Sequence, residues 1–250
     1  MQFDSFSFLI FFIITLLLYY IIPLWNLKKS LLLVSSYLFY AAWSPPLVFL
    51  VWISTIADYY LAKRIYLTNS LTHKRIMLWL SLLINLGLLG YFKYADFFLN
   101  ICQNLLVAVG IKFIPIDLNI VLPIGISFYT FQTISYTIDV YHGNIKPSKS
   151  FLNFALYVTF FPQLVAGPIV RSGHFLPQCI EERKPGLNYI LWGMCLMIFG
   201  IFAKVVLADS LLAPVVDQVY RSPSDYGLID CWVAVFSFSG QIYFDFAGYS

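Results

Sequence analysis

The chain has 250 residues, of which 60% are hydrophobic, 19% aromatic and 11% charged, with a formal net charge of +3. A soluble domain carries roughly 25% charged residues, so this composition excludes a water-soluble protein and implies one that crosses a bilayer many times. The few basic residues are scattered over loops without interleaved stacking aromatics, which excludes nucleic acid as a partner.

A membrane span needs about 20 apolar residues to cross roughly 30 Å of hydrocarbon. The first segment, 6–25, meets that length. It is preceded by an acid, Asp4, without a basic region, and no small-residue cleavage motif follows it. It is therefore expected to be a retained span rather than a signal peptide. Further hydrophobic segments follow at 30–43, 46–62, 76–92, 94–111, 120–141, 151–170, 188–208 and 230–250. The predicted fold is all-α, a polytopic transmembrane helical bundle with broken or re-entrant helices. The turn Trp43-Ser44-Pro45-Pro46 predicts a helical hairpin.

Basic residues set the orientation. Lys28 and Lys29 follow the first span, and Lys63, Arg64, Lys74 and Arg75 lie after the third. The turn at 44–46 between them carries no charge. The positive-inside rule puts 28–29 and 63–75 in the cytoplasm and the N-terminus outside. The run Glu181-Glu182-Arg183-Lys184 is mixed and sets no side.

Three segments depart from plain lipid-facing helices. Within 122–141, Tyr129, Gln132, Thr133, Tyr136 and Asp139 fall at helical spacing and share one face. Inside a membrane such a face points at protein or water. It serves either as interhelical hydrogen bonding, at about 0.6 kcal/mol per bond, or as the wall of a substrate tunnel. Within 160–171, Pro162, Gly167 and Pro168 break the helix before Arg171. Broken backbone at membrane depth lines a cavity or packs on protein. Arg171 either meets an anionic group such as a phosphate or snorkels to headgroups. Within 237–250, Ser237, Gln241, Asp245 and Tyr249 recur every four residues. A carboxylate in an apolar span costs roughly 2.5–3.5 kcal/mol on insertion scales, which makes Asp245 a functional candidate. The alternative is a buried Asp paired to another helix.

Other residues carry less. Lys93 and Asp96 stand three apart and are expected to pair at a membrane edge. Asp96, Asn100, Gln103 and Asn104 give that segment an amphipathic, interfacial character. Lys204 and Asp209, five apart, do not share a face of an α-helix and are expected to mark the end of a span. Cys102, Cys179, Cys195 and Cys231 are far apart and are expected to pack rather than form a disulfide or metal set. His73, His142 and His174 have no acid or metal-ligand partner at a recognisable spacing. No metal site is expected.

Four stretches, LPIGISFYTFQTISYTIDVYHG (122–143), FALYVTFFPQLVAGPIVR (154–171), FAKVVLADSLLAPVVDQVY (202–220) and QIYFDFAGYS (241–250), occur in order. They resemble the membrane-bound O-acyltransferases, in particular the bacterial branch that includes the alginate O-acetylation protein. The D-alanyl transfer proteins of teichoic acid synthesis resemble it more distantly. The resemblance implies residues 1–121 as N-terminal transmembrane helices and 122–250 as the first part of the acyltransferase core. It implies transfer of an acyl group, commonly acetyl from a cytosolic thioester such as acetyl-CoA, toward an extracytoplasmic polysaccharide. The site is expected in the bacterial cytoplasmic membrane, among lipid. The implied partners are an extracytoplasmic acyltransferase and a polysaccharide acceptor, and no permanently bound cofactor is implied. Arg171, Gln241, Asp245, Tyr249, Tyr129, Gln132 and Asp139 become candidates for the tunnel or substrate path.

A hydroxyl is a poor nucleophile at neutral pH and needs a base, usually histidine. In the family that histidine follows the Phe-Asp-Phe-x-Gly-Tyr-Ser segment, in a Trp-His motif. The expectation is that the chain is the N-terminal part of a longer protein, catalytically incomplete, with the histidine beyond Ser250. Without the resemblance, a transporter or a non-catalytic membrane scaffold would use the same broken helices and intramembrane acids.

Overall fold

A computed structural model describes residues 3, 5–110, 120–164, 167–182 and 185–250. Asp4, Arg183 and Lys184 lie outside the described residues. Every regular element among the described residues is helical. Helices α1 (Phe6–Ile21), α2 (Trp25–Ala41), α3 (Val48–Leu67), α4 (Leu71–Ala108), α5 (Ile126–His142), α6 (Phe151–Thr159), α7 (Phe161–Leu164) and α8 (Ser172–Ile180) come first. Then come α9 (Leu187–Ile201), a π-helical segment (Phe202–Leu212), α10 (Ala213–Arg221) and α11 (Leu228–Tyr249).

The stretches Pro45–Leu67, Leu71–Ala108 and Leu187–Arg221 are long and apolar enough to cross a membrane, and Phe6–Ile21 is a shorter apolar helix. Their outer faces expose Leu17, Trp79, Leu83, Trp192 and Phe199. In water such a surface would aggregate; in a bilayer it is the solvent-compatible side. The chain is a multi-pass membrane protein with an all-α fold.

Local chemistry sets the breaks. The pair Pro45-Pro46 starts the short connection between α2 and α3, as the hairpin expectation required. Gly125 and Gly143 bracket α5 with φ of +73° and +79°, a left-handed conformation that only glycine adopts freely. Ser150 caps α6 by accepting from the Asn153 N–H. Phe160 then turns the chain out of the helix, and Pro162 sits in the first turn of α7, where its missing N–H has no helical partner to lose.

Several boundaries differ from the expectation. Lys28 and Lys29 are not in a loop; they lie in the first turns of α2 and are buried. Segments 76–92 and 94–111 are one helix, since nothing at 92–94 breaks it. That helix of 38 residues is roughly 57 Å long at 1.5 Å per residue, well beyond the hydrocarbon thickness. Lys93 sits over the Tyr94 ring at 5.4 Å, and among the described residues no ion pair joins it to Asp96.

The chain packs as two compact units. The first comprises Ile14–Val165 and Ile169–Glu181. Its core is aromatic: Tyr136 and Phe154 are 4.5 Å apart between ring centroids, with Tyr59, Tyr129 and Tyr157 packed around them. The second comprises Gln2–Ile13, Ala166–Pro168 and Glu182–Ser250. In it, α11 packs on α9, the π-helical segment and α10, burying Ala203, Ala208, Val216, Val219 and Ala234.

Candidate functional site

The candidate residues divide between the two units. In the first, α5 presents Tyr129, Gln132, Thr133 and Tyr136, all buried, to the helices around it. The Gln132 amide donates to the Tyr157 carbonyl on α6 at 2.7 Å. Gln163 donates to the same carbonyl at 2.8 Å, so the oxygen left free by the end of α6 is doubly satisfied. The Tyr136 hydroxyl accepts from the Ser148 N–H at 2.9 Å. Tyr129 places its hydroxyl beside that of Tyr40, and Tyr40 donates to the Ile124 carbonyl at 3.1 Å. Most of the face is thus used for hydrogen bonds to other elements of the bundle. Asp139 is only half-buried, and accepts from the Asn144 side chain at 3.2 Å.

Arg171 is exposed just before α8, its carbonyl accepting from the His174 and Phe175 N–H groups at 3.0 and 3.2 Å. A relay of main-chain contacts ties it to α5: Gln132 bonds Tyr157, and the Tyr157 hydroxyl donates to the Val170 carbonyl at 3.2 Å.

Asp58, on α3, was not singled out, yet it is the most buried carboxylate of the first unit. It is 0% exposed. It accepts from the Ser81 hydroxyl and from the Asn85 amide, the latter at 2.7 Å. The Asn85 oxygen accepts in turn from Ser54 at 2.6 Å and from Thr133 at 3.1 Å. Helices α3, α4 and α5 are knitted by this one network. The insertion cost that marked Asp245 applies equally to Asp58, so the signal was present in the segment 46–62.

In the second unit the centre is Lys204. Its ammonium pairs with Asp245 of α11 and, at 3.0 Å, with Asp209. It also lies 5.8 Å from the centroid of the Tyr249 ring. The expectation that Lys204 and Asp209 do not meet is corrected here. It assumed α-helical geometry, whereas residues 202–212 form a π-helix, whose i→i+5 repeat stacks residues five apart. Ser210 shows the same repeat, donating to the Val205 carbonyl at 2.7 Å. π-Helical geometry is rare in proteins, and its usual single-turn form is frequent at functional sites. Gln241 lies one turn before Asp245, its amide oxygen buried without a hydrogen-bond partner.

Two glycines allow this approach. A Cβ on Gly200 would stand 2.6 Å from the Gly248 carbonyl oxygen, and one on Gly248 would stand 2.8 Å from that of Gly200. Close backbone contact at small residues is a usual way for membrane helices to pack. It brings the end of α11 against the turn that carries Lys204.

All four cysteines are free thiols. Cys179 lies on α8, outside the long apolar helices. Burial pushes its thiol up to about 11, with the neighbouring Lys29 ammonium opposing. It is a packed thiol rather than a nucleophilic thiolate.

No family model matches the chain. It is 37% identical over its whole length to "Probable alginate O-acetylase AlgI" of Azotobacter vinelandii, covering 50% of that protein. It is 36% identical to the peptidoglycan O-acetyltransferase of Helicobacter pylori, with 88% of this chain and 46% of that one aligned. A teichoic acid D-alanyltransferase of Lacticaseibacillus rhamnosus is 25% identical over 64% of this chain and 45% of its own. The chain spans about half the length of the curated relatives it matches. Identity of this extent, on a helical membrane scaffold with the four motif stretches in order, places the chain in the membrane-bound O-acyltransferase family, on the branch of the alginate O-acetylation protein.

Proposed function

We propose that the protein acts as a membrane O-acetyltransferase of the polysaccharide type. It moves an acetyl group from a cytosolic thioester, acetyl-CoA, toward an extracytoplasmic glycan such as alginate or another cell-surface polymer. The observation that carries this reading is the 37% identity to an alginate O-acetylase along the entire chain. Peptidoglycan is a second glycan acceptor suggested by the Helicobacter relative. The D-alanyltransferase relative supports D-alanyl transfer to a teichoic acid-type polymer as the alternative.

In this reading the protein sits in the bacterial cytoplasmic membrane, with the N-terminus extracytoplasmic and residues 28–29 and 63–75 cytoplasmic. Supporting it, the short turn between α2 and α3 puts Lys28, Lys29, Lys63 and Arg64 toward one end of the first unit. The Tyr59 hydroxyl donates to the Lys149 carbonyl at 3.1 Å, which brings the loop bearing Lys146 and Lys149 to that same end. Residues 122–250 supply the first part of the acyltransferase core. Arg171 attracts the phosphates of the donor; Tyr129, Gln132 and Asp139 are the substrate candidates of the first unit and Gln241, Asp245 and Tyr249 those of the second, where Lys204 holds Asp245. The proton acceptor is assigned to the Trp-His motif that follows the Phe-Asp-Phe-x-Gly-Tyr-Ser segment in the family, and His73, His142 and His174 have no catalytic role. An extracytoplasmic acyltransferase receives the acetyl group and delivers it to the glycan.

The test is labelled acetyl-CoA added to inverted membrane vesicles holding the full-length protein, its extracytoplasmic partner and the glycan. Ester-linked acetyl on the glycan is expected, and Arg171→Ala should raise the donor KM more than it lowers kcat. Label that stays entirely in the donor pool, with both proteins inserted, overturns the proposal. D-Alanyl transfer from a charged carrier in its place selects the alternative.

A further inference from the structure

The first unit holds a cavity of about 620 Å³ whose lining includes Lys29, Lys146, Lys149, Ser150, Asn153 and Ser172. Three cations border it, and no carboxylate does. Lys146 and Lys149 are exposed at its mouth, whereas Lys29 is 5% exposed. The Lys29 ammonium donates to the Asn153 side-chain oxygen at 2.8 Å and to the Cys179 carbonyl at 3.1 Å, and it lies near the Trp25 ring. Both acceptors are neutral. Among the described residues no carboxylate pairs with it, and one of its three N–H groups is left over. A buried charge without a counter-ion is costly.

The start of α8 borders the same cavity. Ser172, which opens that helix, is 1% exposed, and its hydroxyl is turned into the protein beside the Tyr157 hydroxyl rather than into the cavity. The first turn of α8 has no side-chain cap. Its His174 and Phe175 N–H groups donate to the Arg171 carbonyl, and those of Ser172 and Gly173 make no main-chain hydrogen bond among the described residues. The cavity thus presents three cations and one uncapped helix start, an arrangement complementary to negative charge.

We propose that this cavity binds the terminal phosphate of an organic phosphate ester. Three cations match a group of charge near −2 better than a carboxylate of charge −1, and phosphate oxygens accept several charge-assisted bonds at once. The volume exceeds that of inorganic phosphate, so the phosphate carries a substituent. That substituent belongs either to a lipid or to a soluble metabolite, and the phosphate chemistry is common to both. The site is built from residues of the first unit alone and does not rest on the assignment of acetyl transfer.

The experiment uses the purified protein in detergent and in nanodiscs. Thermal unfolding is followed with inorganic phosphate and with glycerol 3-phosphate, against chloride at matched ionic strength. In parallel, nanodiscs of phosphatidylcholine are compared with nanodiscs that also contain phosphatidic acid. Saturable stabilisation by a phosphate probe is expected, with affinity weakened at least about tenfold in a Lys146→Gln/Lys149→Gln double variant. Those lysines are exposed, so the double variant keeps the fold even where Lys29→Gln does not. Glycerol 3-phosphate acting in phosphatidylcholine nanodiscs identifies a soluble source, and stabilisation confined to phosphatidic acid identifies a lipid source. Equal shifts with chloride, or binding unchanged in the double variant, overturn the proposal.

Discussion

Lys204 and Asp209 stand five residues apart on one helix and form an ion pair at 3.0 Å. Only the π-helical register of residues 202–212 allows this. The same ammonium reaches Asp245 on α11, so one cation serves two carboxylates from two helices. The arrangement fixes the end of α11, which carries the last of the four family-like stretches.

If that cluster serves acyl transfer, Lys204→Met and Asp245→Ala each lower turnover of the full-length enzyme by at least about tenfold, some 1.4 kcal/mol, while the protein still inserts. Because the two residues act through one contact, the double variant should be little worse than either single one. Multiplying losses in the double variant would show independent roles. Wild-type turnover in Asp245→Ala would leave that carboxylate a packing function only.

Replacement of Gly200 by alanine forces a Cβ to 2.6 Å from the Gly248 carbonyl oxygen. The backbones must part, which typically costs about 1–3 kcal/mol in a packed interior. A lower midpoint of thermal unfolding in detergent is the expected reading for Gly200→Ala. Gly193→Ala on the same helix, where a Cβ meets nothing within 4 Å, should leave the midpoint unchanged. Equal behaviour of the two variants would remove the close-approach argument.

Asn85→Leu is expected to destabilise the first unit more than its change in volume suggests. Asp58 loses its amide donor and Ser54 its acceptor, while Thr133 keeps only the Thr130 carbonyl. Buried polar groups left unsatisfied cost about 1–3 kcal/mol each. Thermal or denaturant unfolding in detergent measures the loss, with Ser239→Ala as an exposed control. A midpoint within error of the control would show that the network relaxes freely.

Orientation has a direct test. With the four native cysteines replaced and Ser70→Cys introduced, an impermeant maleimide should label residue 70 only after the membrane is permeabilised. Labelling from outside intact cells would invert the assignment and move the Lys29 end of the first unit to the extracytoplasmic side.

Composition and hydrophobic run length alone determined that this chain is a helical membrane protein, because lipid imposes one constraint on every span. The spacing of Tyr129, Gln132, Thr133 and Tyr136 likewise determined one buried polar face. Breaks at Pro45-Pro46, Pro162 and Gly143 were legible because proline and glycine act locally. The partners of those groups were not legible. Tertiary structure decided that Gln132 answers the carbonyl of Tyr157, that Asp58 is held by Ser81 and Asn85, and that Lys204 stands between Asp209 and Asp245. Periodicity assumes a regular helix and says only which residues share a face. A π-register alters that face from within, and which neighbouring helix meets it depends on packing between segments distant in the chain. For the same reason Lys29, read as a loop cation, became a buried ammonium held by Asn153 and the Cys179 carbonyl only when α2, α6 and α8 came together.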